Sequence, residues 1–120
     1  MINPMIVEGQ IVGGIAQGVG GALLEELVYD DDGQMLNANL LDYQLPISLD
    51  LPNIEIGHLE TPSPLNPLGA KGMGEGGAIG AHAVIANAVE DAIAHTGARV
   101  RETPLRPALV WKLLSEAGAI

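Results

Sequence analysis

Between Thr61 and Gly77 the chain passes from three prolines, Pro62, Pro64 and Pro67, into five glycines, Gly69, Gly72, Gly74, Gly76 and Gly77. The prolines forbid helix and hold the backbone extended. The glycines then allow positive φ and let another object approach the main chain closely. Any regular element must therefore end before this stretch or begin after it. One carboxylate, Glu75, stands inside the glycines, immediately ahead of a long apolar helix pattern. Such a residue is either a helix-start acid or a catalytic base aimed at a bound ligand.

On the N-terminal side, residues 8 to 27 read as a helix. Ile11, Ile15, Val19, Leu23 and Leu27 recur every four residues, and Val12, Ala16 and Leu24 widen the stripe. Gly13, Gly14, Gly18, Gly20 and Gly21 interrupt this helix, each at a cost of about 1 kcal/mol relative to Ala. They call for a packing reason, and a tight crossing against another element is the simplest. The other reading is a bare backbone face on which Gln10 and Gln17 offer amides to a ligand. Asp31-Asp32-Gly33 marks a hairpin turn between Leu27–Asp30 and Gln34–Leu36, residues 37 to 52 an irregular connection, and Ile54, Ile56 and Leu59 a short strand.

On the C-terminal side, Gly77 to His95 forms a helix apolar on nearly every face, so its first half and the loop leading into it are expected to be buried. Gly97 stops it. Arg99-Val100-Arg101 reads as an edge strand, and Thr103-Pro104-Leu105-Arg106-Pro107 as the start of a final amphipathic helix with Leu109, Val110, Leu113 and Leu114 on its apolar side. The resulting expectation is an α+β fold, a single domain over residues 1–120. It comprises a long glycine-rich helix, short antiparallel strands, a buried helix after the glycine loop, and a C-terminal helix.

Composition excludes several classes. A net charge of −10 disfavours nucleic acid and anionic membranes as partners. There is no cysteine, hence no disulfide, thiolate metal site or cysteine-held iron–sulfur cluster in this chain. No apolar run approaches the ~20 residues of a membrane span, and Met1-Ile2-Asn3-Pro4 lacks the features of a secretion signal, so a cytoplasmic location is expected. His58, His82 and His95 show no metal-ligand spacing, and no protein-held metal is expected. Gly72-Met73-Gly74-Glu75-Gly76-Gly77 matches the dinucleotide pattern G-x-G-x-x-G in form only, because a proline linker precedes it where a buried strand is required.

An ordered series of short segments carries a family resemblance over nearly the whole chain. It runs through Ile2-Asn3-Pro4-Met5, Glu8-Gly9-Gln10, Gly13 to Gly18, Glu25-Glu26, Tyr29-Asp30, Asp42 to Pro46 and Glu60-Thr61-Pro62. It ends with the glycine loop, Asn87-Ala88-Val89 and Pro104 to Trp111. In this order the segments resemble the last part of the molybdenum-binding large subunit of the xanthine oxidase and aerobic carbon monoxide dehydrogenase family.

That resemblance implies a molybdopterin-dependent oxidoreductase that hydroxylates an aldehyde, an N-heterocycle or a CO-like substrate. Its cofactor would be molybdopterin, in the cytosine dinucleotide form, with molybdenum that takes no direct ligand from the protein. Glu75 is implied as the base that abstracts a proton at the molybdenum centre. Gln10 is implied as a hydrogen-bonding partner of the cofactor, and Lys71, Gly72, Met73 and Gly74 as the loop wrapped against it. Electrons would leave through iron–sulfur clusters and FAD on partner domains or subunits, so the implied state is an oligomeric assembly with the remainder of the molybdenum subunit. A different class of function stays open beside this one: a non-catalytic association module whose glycine-rich faces pack against a partner chain.

Overall fold

The computed structural model describes all 120 residues, and three α-helices carry its fold: α1 (Pro4–Val19), α2 (Ala78–Ile93) and α3 (Pro107–Glu116). α1 starts earlier than its apolar periodicity suggests. The Asn3 side chain accepts a hydrogen bond from the Ile6 amide at 3.2 Å, and Pro4 fills the first turn, where a missing N–H removes no helical bond. At its far end α1 widens into a π-helical turn, Gly20–Leu24, closed by the Glu25 amide donating to the Gly20 carbonyl at 2.8 Å. Leu27 lies beyond this turn and is exposed, off the stripe that straight-helix periodicity assigned to it.

α1 and α2 cross backbone to backbone. A Cβ added to Gly18 would lie 2.3 Å from the Ala81 Cβ, one on Gly14 2.6 Å from the Ala78 nitrogen, and one on Gly77 2.4 Å from the Ile11 carbonyl oxygen. Any side chain at these points would hold the helices apart. The crossing therefore accounts for Gly14 and Gly18, whereas a Cβ on Gly9 or Gly13 would meet nothing within 4 Å.

The expected α+β class is wrong: the molecule is helical and has no sheet. Of the expected hairpin, the turn and one antiparallel bridge form, with the Leu36 amide donating to the Val28 carbonyl at 2.8 Å. Asp30 and Gln34 are joined by an amide–carbonyl bond of 3.0 Å, Gly33 adopts φ +79°, and a single bridge pairs Tyr29 with Met35. Beyond it the Asn37 side chain takes the place of a ladder, accepting from the Val28 amide and donating to the Glu26 carbonyl. The Arg99–Arg101 segment fails as a strand for a similar reason, because the Val100 amide donates to the Glu90 carboxylate at 2.9 Å. Ile54 to Leu59 runs without a partner strand, and Leu59 is fully exposed. Alternating apolar residues favour extended backbone, but a strand needs a neighbour.

The small core gathers where α1 ends. Val19, Ala22, Ala98 and Leu105 are its buried apolar residues, and the Leu105 amide donates to the Ala22 carbonyl at 2.7 Å. The His82 ring lies against Gly21 and bonds Thr103 Oγ1 at 2.9 Å, while Arg106 pairs with Glu26. Gly97, at φ +80°, ends the α2 region after a 3-10 turn, Ala94–Thr96.

The expected burial of α2 does not occur within this chain. Ile79 is 83% and Val84 63% exposed, because α1 covers one side of α2 and nothing here covers the rest. A radius of gyration of 18.3 Å confirms an open shape, against roughly 14 Å for a compact domain of this length.

Candidate functional site

The segment leading to the glycine loop is closed on itself by its own polar groups. The Asn66 side chain grips both sides of residue 70: its Oδ1 accepts from the Ala70 amide and its Nδ2 donates to the Ala70 carbonyl, each at 2.9 Å. The Asn66 carbonyl accepts from the Gly69 amide, and the Gly69 carbonyl from the Ser63 amide, both at 3.0 Å. Gly69 has φ +64°, and a Cβ there would stand 2.7 Å from the Pro62 Cβ, so only glycine fits. Lys71 Nζ reaches back to Thr61 Oγ1 at 2.6 Å and ties the two ends of the segment together.

Glu75 follows in a tight turn. The Gly76 amide donates to the Met73 carbonyl at 3.2 Å and the Ala78 amide to the Glu75 carbonyl at 2.9 Å. Two residues on, Gly77 is wedged against the Ile11 backbone. The carboxylate-bearing stretch is thus fastened at both ends, by the Asn66 closure and by the helix crossing. Between these fastenings Gly72 and Gly74 are exposed, with open space where a Cβ would stand. Glu75 is itself exposed and sits one turn before the first residues of α2, where the helix dipole favours an anion. It is the only acidic residue between Glu60 and Glu90.

The expected site residues fall into two sets. Lys71, Gly72 and Met73 line an open groove of about 360 Å³, together with Val7 and Ile11 of α1 and the 57–62 segment. Gln10, Gly74 and Glu75 lie outside its lining. Gln10 is exposed on α1 beside Ile11, and the Ile11–Gly77 contact brings that part of α1 to the end of the Glu75 turn. Gln17 is exposed two turns further along. Sequence reasoning missed Asn66 and Thr61, although Asn66-Pro67 is a turn-forming dipeptide whose side chain can bond backbone a few residues on.

No group of three or more His, Cys, Asp or Glu side chains converges anywhere in the chain. Around Glu75 the loop offers bare glycine backbone and the Lys71 ammonium, and α1 the exposed Gln10 amide.

Comparison with known proteins gives the family. Residues 1–52 match the family described as molybdopterin cofactor-binding domain. The chain is 49% identical over 107 residues to the nicotine 6-hydroxylase large subunit of Paenarthrobacter nicotinovorans, covering 89% of this chain and 13% of that protein. It is 42% identical over 115 residues to the carbon monoxide dehydrogenase large chain of Hydrogenophaga pseudoflava, covering 96% of this chain and 14% of that one. The chain belongs to the molybdopterin-dependent oxidoreductase large subunits. It corresponds to a C-terminal portion of such a subunit and spans about a seventh of the length of these curated relatives. Its fold superimposes on quinoline 2-oxidoreductase from Pseudomonas putida 86 with a TM-score of 0.93 and 53% identity, covering 97% of this chain and 15% of that one. The chain is also 45% identical over 112 residues to the 6-hydroxypseudooxynicotine dehydrogenase complex subunit gamma of Paenarthrobacter nicotinovorans, covering 92% of this chain and 14% of that one. No helix here is long and apolar enough to cross a membrane.

Proposed function

We propose that this chain supplies the catalytic base and part of the cofactor cradle of a molybdenum hydroxylase acting on an aldehyde, an N-heterocycle or a CO-like substrate. The observation that carries this reading is the placement of Glu75: a lone carboxylate, fastened on both sides, on an otherwise bare glycine loop at a helix N-terminus. Gly72 and Gly74 leave room for a flat group to lie against the main chain. Lys71 and the Gln10 amide offer a cation, hydrogen-bond donors and an acceptor to its polar edges. The bound molybdopterin, in the cytosine dinucleotide form, supplies the oxygen-transfer and two-electron redox chemistry. Glu75 accepts the proton released in that chemistry on a carboxylate oxygen, and the dipole of α2 favours the anion before transfer. Iron–sulfur and FAD groups on companion domains or subunits would take the electrons onward.

The test is a pair of substitutions in the enzyme assembled with this chain. Glu75→Gln keeps the size and much of the hydrogen bonding but cannot accept the proton. Turnover should fall about 10²–10⁴-fold while molybdenum content stays near that of the parent. Gln10→Ala should show the opposite pattern, losing cofactor occupancy before the rate per bound molybdenum changes. Near-parental turnover in a fully loaded Glu75→Gln enzyme would end the catalytic assignment. A cofactor-free native assembly would favour an association module instead.

A further inference from the structure

We infer that Asn66 is a positioning residue for the glycine loop: its side-chain amide closes the Thr61–Lys71 segment and thereby sets where the Gly72–Glu75 stretch begins. The inference rests on the reading of Glu75 as the base. Five bonds in this one segment converge on the same result. Asn66 accepts from and donates to Ala70 at 2.9 Å through its side chain, and accepts from Gly69 at 3.0 Å through its carbonyl. Ser63 and Gly69 are joined at 3.0 Å, and Lys71 returns to Thr61 at 2.6 Å. No substitution among the common side chains reproduces the paired donor and acceptor at this reach; Asp has two acceptors and Ser is too short.

The other end of the loop is already fixed by the Gly77–Ile11 contact. The Met73–Gly76 and Glu75–Ala78 bonds shape the turn itself, and a Cβ on Gly72 or Gly74 would meet nothing within 4 Å, so the closure at Asn66 is what fixes the entry to the Glu75 turn. Asn66 acts on this loop through Ala70, five residues from the carboxylate. Its role is therefore geometric, and a base displaced by an ångström can lose two orders of magnitude in rate.

The experiment is Asn66→Ala in the enzyme assembled with this chain, read by steady-state kinetics, molybdenum content and local amide hydrogen exchange. The expected result is a fall in kcat of about 10–100-fold with KM and molybdenum content near parental values. Exchange should accelerate at the Gly69–Gly76 amides and stay unchanged in α1 and α2. If Asn66→Ala fails to assemble, Asn66→Asp carries the same test, since it keeps an acceptor for the Ala70 amide and faces the Ala70 carbonyl with an acceptor in place of the donor. Unchanged loop exchange and kcat, or a loss of rate fully matched by loss of molybdenum, would overturn the inference. Accelerated loop exchange in Asn66→Ala alongside a fully active Glu75→Gln enzyme would uphold the closure and remove the catalytic reading of the loop it closes.

Discussion

The helix crossing and the glycine loop use the same amino acid for opposite purposes. At the crossing, Gly14, Gly18 and Gly77 are glycine because another backbone already occupies the space a Cβ would need. In the loop, a Cβ on Gly72 or Gly74 would meet nothing within 4 Å. Both regions are poor in side chains, yet one is filled and the other is empty. Glycine density by itself therefore says that something comes close to the backbone, and the structure says whether it is this chain's own helix.

The largest effect that would sharpen this contrast is at Glu75, where Gln should cost turnover about 10²–10⁴-fold with little change in stability. A variant at the crossing should do the reverse. Gly18→Ala puts a methyl 2.3 Å from Ala81 Cβ, and Gly14→Ala puts one 2.6 Å from the Ala78 nitrogen. Each should destabilise the chain by about 1–3 kcal/mol, visible as a lower midpoint in thermal or urea unfolding. An unchanged midpoint in both would mean that the helices do not meet backbone to backbone.

Gly13→Ala is the matched control on the same helix. Nothing lies within 4 Å of its Cβ position, so alanine should raise stability by about 0.4–1 kcal/mol through a less flexible unfolded chain and better helix propensity. If Gly13→Ala destabilises the chain as Gly18→Ala does, the division of α1 into a packed and an open face fails.

The smallest effect concerns acid. The Arg99 guanidinium and the Val100 amide hold the Glu90 carboxyl below its usual range. A lowered folded-state pKa means this contribution is complete above the unfolded value near 4.5 and is lost as pH falls through the lower folded value. Acid titration of stability should show that loss in the parent and not in Glu90→Gln. Identical titrations would show that the link between α2 and the 99–100 segment contributes nothing measurable, as an exposed pair can do.

Much of the fold was legible because helix signals are local. The four-residue recurrence of Ile11, Ile15 and Val19, the stop at Gly97 and the proline start of α3 each act within a few residues of themselves. The strands were misread because their outcome depends on partners elsewhere. Val100 looked like strand, but its amide was taken by the carboxylate of Glu90, ten residues away. The π-helical turn at Gly20–Leu24 was invisible for a related reason, since an apolar stripe carries no mark of where a helix widens.

For the site, sequence alone singled out Glu75 and its glycines, because a carboxylate between glycines is unusual in itself. It could not find Asn66, whose function exists only once Ala70 is folded back against it. Nor could it divide the glycines of α1 between Gly14 and Gly18, which touch α2, and Gly9 and Gly13, which touch nothing. Sequence determined which residues lack a side chain and where the helices run. Only tertiary structure decided which of those bare backbones meet each other, because close approach depends on the path of the segment between Leu24 and Ala78.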